Sequence, residues 1–139
     1  MELDTALDYA RSNRRGVLVT LKRDGRPQLS NISHAVGDDG VIRISATADR
    51  AKVANAHRDP RVSLHVTAED FWSYVVVEDR AEVTPAAETP DDPVVEELIA
   101  LYRSIAGEHD DWDDYRRAMV ADRRLVVRLH PERAYGMVG

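Results

Sequence analysis

The apolar residues of this chain come in short runs, each closed by a turn signal, and that pattern limits the fold more than any other feature. Gly16 leads into Val17-Leu18-Val19-Thr20-Leu21, which is apolar on both faces, as a buried central strand requires. Asp24-Gly25 follows, a strong hairpin signal. A return strand starts near Arg26-Pro27 and runs to His34, and Gly37-Asp38-Asp39-Gly40 makes a second turn. Ile42, Ile44 and Ala46 alternate with Arg43 and Ser45, and Val62, Leu64 and Val66 alternate with Arg61, Ser63 and His65, giving two half-buried strands. Phe71 to Thr84 has the length of one long or bent strand; Leu125 to Leu129 reads as a strand and Ala134 to Val138 as another. The alternation of strand and helix that builds a parallel sheet is missing. The expected fold is therefore mainly β with inserted helices, a small antiparallel barrel of six or so strands.

The helices are legible at their ends. Residues 2–13 place Leu3, Ala6, Leu7 and Ala10 on one face. A short helix is expected from about Arg50 to Arg58, stopped by Asp59-Pro60, with Thr47 or Asp49 as its cap. Asp91-Asp92-Pro93 starts a third helix whose buried face is Val94, Val95, Leu98, Leu101, Tyr102 and Ile105, ended by Gly107. A fourth covers about Asp111 to Ala121. Gly16 reads as a turn residue ahead of its strand.

Composition matters mainly for what it excludes. At 139 residues the chain suits one domain, 1–139. With no cysteine it has no disulfide, thiolate metal site or cysteine nucleophile. A net charge of −6 disfavours nonspecific nucleic-acid binding. No apolar run approaches the roughly 18–20 residues that span a bilayer. Met1-Glu2-Leu3-Asp4 carries acids where a secretory leader needs basic residues, so a cytoplasmic protein is expected. The five histidines show no metal-ligand spacing, and no metal site is expected. Nucleotide-binding glycine motifs and a nucleophile elbow are absent, and no catalytic residue can be named.

Three segments carry candidate chemistry. Arg supplies every cation among the 19 except Lys22 and Lys52. Arg50 and Lys52 fall at a helix start, where they oppose the helix macrodipole at a cost of about 0.3–1 kcal/mol each when exposed. A bound phosphate reverses that sign, while two solvated cations partly neutralised by Asp49 are the plain alternative. Gln28, Ser30, Asn31 and Ser33 put polar groups on both faces of a strand, either as edge solvation or to hydrogen-bond a flat polar ligand. Phe71-Trp72-Ser73-Tyr74 gathers three aromatics in a chain with 6% aromatics, either as a core or dimer cluster or as a wall for a planar cofactor. His109-Asp110-Asp111-Trp112-Asp113-Asp114 is better explained as an acidic helix start than as a metal site.

Gly16-Val-Leu-Val-Thr, Asp24-Gly-Arg-Pro-Gln-Leu-Ser-Asn31, Arg50-Ala-Lys52, Arg58-Asp-Pro-Arg-Val-Ser63, Trp72-Ser-Tyr74 and the stretch Leu101 to Tyr115 together resemble one family over essentially the whole chain. It is the split β-barrel flavin- and deazaflavin-binding proteins related to pyridoxamine 5′-phosphate oxidase, and more narrowly the actinobacterial coenzyme F420-dependent FDOR-B branch. The resemblance implies a six-stranded antiparallel split barrel, dimerised so that the cofactor lies at the homodimer interface. It implies that the cofactor phosphate meets Arg50 and Lys52, with Ser45 and the Ala51 backbone nearby. Gln28, Asn31, Ile32 and Ser33 would run along the ring system, and Trp72, Ser73 and Tyr74 would come from the partner subunit. Arg26 and Arg124 are candidates for the acidic cofactor tail. The implied reaction is hydride transfer from reduced deazaflavin to an electron-poor small molecule, with a proton from solvent or Tyr74. His34 stands where relatives often carry a larger aromatic, which implies a reshaped substrate pocket. An FMN-dependent enzyme of the same barrel class and a non-catalytic cofactor-binding module are the alternatives.

Overall fold

The computed structural model describes residues 1–138; the last residue of the expected 1–139 domain lies outside the described residues. In chain order the elements are α1 (Leu3–Ser12), β1 (Arg15–Leu21), β2 (Pro27–Ser33), β3 (Ala35–Val36), β4 (Ile42–Thr47), α2 (Ala51–Arg58), β5 (Arg61–Thr67), β6 (Tyr74–Val83), α3 (Pro93–Ala106), α4 (Trp112–Ala121) and β7 (Arg124–Met137). The strands form one antiparallel sheet in the order β2-β1-β5-β6-β7-β4-β3.

The sheet has seven strands, not six. Beyond His34 the chain makes the two-residue β3, which pairs with β4 instead of extending β2. The two C-terminal segments expected as separate strands are one, β7, which pairs with β4 through its first half and with β6 along most of its length. His130-Pro131-Glu132 reads as a break because proline cannot donate to a ladder, yet Pro131 lies opposite Asp79, at an irregularity between Glu78 and Asp79 that spares the missing bond. β6 begins at Tyr74, and the residues before it form a turn in which Phe71 adopts a left-handed φ of 66°.

Alternation divides the sheet into two faces. Leu18, Leu64, Val66, Val75, Val77, Leu125, Val127 and Leu129 join α1 and α2 in the main core. On the opposite face, Val126 packs under α3 and α4 with Val95, Leu98, Tyr115 and Met119. Among the described residues, α3 and α4 cover the β7-β4-β3 end of that second face. Across the other strands, register aligns Asn31, Val17, His65, Val76 and Tyr135 in one row. Leu29 is 60% exposed and Met137 67%.

Gly16 is part of β1 rather than a turn. A Cβ there would meet the His65 carbonyl oxygen at 2.7 Å, so only glycine lets β1 approach β5 this closely. A polar chain ties α2 to the sheet: Asn55 Nδ2 donates to Thr20 Oγ1 (3.1 Å), Thr20 Oγ1 to Gln28 Oε1 (3.1 Å) and Gln28 Nε2 to Ser30 Oγ (3.0 Å). His34 is fully buried against α1, with Nε2 3.0 Å from the Ala10 carbonyl, and burial lowers its pKa. With no exposed surface it is not a pocket wall, so the expected reshaping of a substrate pocket by His34 is not found.

Candidate anion and cofactor site

Strand β4 ends at Thr47, and the chain turns through Ala48-Asp49 into α2, with Arg50 at the N-cap position. Neither Thr47 nor Asp49 caps the helix, contrary to expectation. Thr47 Oγ1 instead donates to Asp49 Oδ1 (2.8 Å) and accepts from Arg50 Nε (3.2 Å), so these side chains satisfy one another. The first turn of α2 therefore has no side-chain cap and no acid, while its leading N–H groups lack intrahelical acceptors. Among the described residues neither Arg50 nor Lys52 forms an ion pair. Burial lowers the pKa of the Lys52 ammonium, and the nearby positive charges of Arg50 and Arg124 lower it further. An anion here would offset the cost of burial and the repulsion from both arginines. Beside the helix start is a cleft of about 450 Å³ lined by Thr47, Ala48, Asp49, Arg50 and the Ala121–Arg123 turn.

Asn31, Ile32 and Ser33 lie together in a second cleft, also about 450 Å³, with Arg15, Gly16, Val17 and Thr67. The register puts Asn31 beside Val17 and Ser33 beside Arg15 on the face without a helical cover. Gln28 does not share this role: both ends of its amide are taken up by the internal chain from Asn55 to Ser30.

The aromatic turn borders this second cleft within the same chain. Thr67 Oγ1 donates to the carbonyls of Phe71 and Ser73 (both 3.1 Å), and Tyr9 Oη donates to the Ser73 carbonyl (2.8 Å). Asp70 ties the turn from below, accepting from Ser73 Oγ at 2.9 Å and from Ser73 N at 3.0 Å. Trp72 is left 77% exposed, with Phe71 edge-on at 5.1 Å, and Tyr74 stacks on His65 at 5.5 Å.

Ser45 is elsewhere. It lines a cavity beneath α3 and α4, where Arg124 Nη1 reaches its hydroxyl at 3.4 Å. Arg26 is in the exposed β1–β2 turn, its backbone N–H on Asp24. At the start of α4, Asp111 caps the helix by accepting from Asp114 N (3.1 Å), as the acidic run suggested. Arg15, Thr67 and His65 were not singled out from sequence. Their signal was register, since each shares a face with a residue that was.

A family model described as pyridoxamine 5'-phosphate oxidase matches residues 3–138. A conserved hypothetical protein from Mycobacterium tuberculosis is similar in structure, with a TM-score of 0.75 and 27% identity over 98% of this chain and 84% of its own. An F420 reductase shares the fold at a TM-score of 0.70 and 24% identity, over 92% of this chain and 94% of its own. A FAD-binding protein from Mesorhizobium loti shares it at 0.69 and 19%, over 98% and 92%.

Proposed function

Because the chain belongs to the pyridoxamine 5'-phosphate oxidase family, we propose that it is an oxidoreductase of the coenzyme F420-dependent FDOR-B branch, acting on an electron-poor small molecule as a homodimer. The observation that carries this reading is the uncapped start of α2, where Arg50 and half-buried Lys52 have no carboxylate partner among the described residues. Two cations that oppose the helix macrodipole are unfavourable alone and become favourable around a phosphate. The residues present therefore fit a phosphate-bearing cofactor, with Arg50, Lys52 and the Ala51 N–H holding the phosphate. Asn31 and Ser33 offer polar groups from an edge strand, with Ile32 between them.

When bound, the reduced deazaflavin supplies a hydride, which explains why no nucleophile–base pair is needed. The protein's part is then to position and to exclude water. Trp72 and Tyr74 give flat apolar surface for a planar ring, and the uncovered face of β2-β1-β5-β6 is where a second copy closes the site. The F420 reductase with the same fold supports the choice of deazaflavin.

An FMN-dependent enzyme is the second reading, because the same phosphate seat serves FMN and the family is described by an oxidase. Fluorescence titration of the protein with F420 and with FMN tests both. Saturable F420 binding with weaker FMN binding is the expected result. Preferential FMN binding would select the second reading, and tight F420 binding without reduction of any electron-poor acceptor would leave a cofactor-binding module.

A further inference from the structure

Three arginines, Arg43 on β4 and Arg124 and Arg128 on β7, share the sheet face beneath α3, and they are treated unequally. Arg43 Nε donates to Glu97 Oε2 (2.9 Å) and its guanidinium pairs with Asp39, while Arg128 reaches Glu97 (2.6 Å) and Glu82 (3.2 Å). Arg124 has no carboxylate partner among the described residues. Its Nε is buried without any acceptor, and its one side-chain hydrogen bond is the 3.4 Å contact with Ser45 Oγ. The cause is in the α3 sequence. Glu97 serves the first two arginines, and the positions that follow along the same face are Leu101 and Ile105.

Arg124 lines a cavity of about 310 Å³ walled by Leu98, Leu101, Ile105, Met119, Tyr102 and Tyr115, with Ala106 at the exposed rim. A buried guanidinium nitrogen without an acceptor is costly, and the neighbouring positive charge of Lys52 adds to the local potential. A planar carboxylate satisfies such a group by a two-pronged hydrogen bond, and the remaining walls accept an apolar body.

We propose that the cavity beneath α3 and α4 binds a small organic carboxylate with an apolar body, its carboxylate on Arg124. This site adjoins the phosphate seat, since Arg124 lies within electrostatic reach of Lys52, but its walls are those of α3 and α4 and the proposal does not depend on which cofactor is used.

The test uses the three methionine methyls as reporters in ¹³C NMR of the whole protein. Met119 lines the cavity, whereas Met1 and Met137 are exposed elsewhere. The probes are benzoate, its neutral counterpart benzamide, and γ-glutamylglutamate, which carries carboxylates on a polar body like an acidic cofactor tail. Benzoate is expected to shift Met119 saturably while leaving Met1 and Met137 in place, with the other two probes at least tenfold weaker. Arg124→Gln should weaken benzoate at least tenfold. Ala106→Phe, which fills the rim and keeps the cation, should do the same if Arg124→Gln does not fold. No Met119 shift with benzoate, an equal response to benzamide or γ-glutamylglutamate, or undiminished binding in a folded variant would overturn the assignment.

Discussion

Replacing Asp79 with asparagine should stabilise the protein at neutral pH and destabilise it modestly in acid. Asp79 is 2% exposed, and neither carboxylate oxygen has a hydrogen-bond partner. Burial, followed by the charges of Glu132 and Glu78, pushes its pKa up to about 8. In the unfolded chain the carboxyl ionises near its ordinary value of about 3.9. Folding at pH 7 therefore requires uptake of a proton across about three pH units, which at about 1.36 kcal/mol per unit costs up to about 4 kcal/mol. Because the folded pKa is raised, the stability associated with this group is fully present below about pH 4 and is lost as the pH climbs toward about 8. The amide avoids that uptake but buries polar hydrogens of its own, at about 1–3 kcal/mol. The net gain for Asp79→Asn at pH 7 is then about 1–3 kcal/mol, a large share of the roughly 5–15 kcal/mol typical of a domain. Urea unfolding of both proteins at pH 4 and pH 7 isolates the titration, because the amide's own cost is the same at both. The difference between variant and wild type should grow by about 3–4 kcal/mol from pH 4 to pH 7. A difference that does not change with pH would refute the argument that Asp79 is held protonated.

Lys52→Ala should weaken cofactor binding by about 1.5–3 kcal/mol, roughly tenfold to more than a hundredfold, as measured by fluorescence titration. The melting temperature of the cofactor-free protein should hold or rise slightly, since a cation near a helix N-terminus is removed; a collapse would make Lys52 a structural residue. Trp72 emission should be quenched by added deazaflavin more than that of Trp112, and Trp72→Phe should remove most of the signal; full quenching in that variant would take Trp72 out of the site. Sedimentation equilibrium at micromolar protein should give a dimer burying more than roughly 1,000 Å² in total, and a monomer would leave the exposed Leu29, Tyr135 and Met137 unexplained.

Local chemistry settled much of this protein before any long-range contact was considered. The runs around Leu18, Ile44 and Leu64 alternate or cluster as strands must, and proline, glycine and acidic residues mark the ends of α3 and α4, so these elements were legible from neighbours in the chain. The pairing of Arg50 with Lys52 at a helix start was legible for the same reason. What the tertiary structure decided is which residues share a face and a neighbour. β7 runs unbroken because the missing hydrogen bond of Pro131 falls at a register shift where Glu132 has no partner opposite Glu78 and Asp79 of β6, and no local signal in residues 130–133 reports on residues 78 and 79. Gln28 looked like a ligand contact until Thr20 and Asn55 arrived from two other elements to take its amide. Gly16 looked like a turn because its requirement comes from the carbonyl of His65 on another strand. Arg124 has no carboxylate partner among the described residues because α3, arriving from earlier in the chain, puts Leu101 and Ile105 over it rather than a second glutamate. Sequence records each side chain's own preference; whether that preference is met depends on atoms dozens of residues away, which only the packed sheet and helices bring within reach.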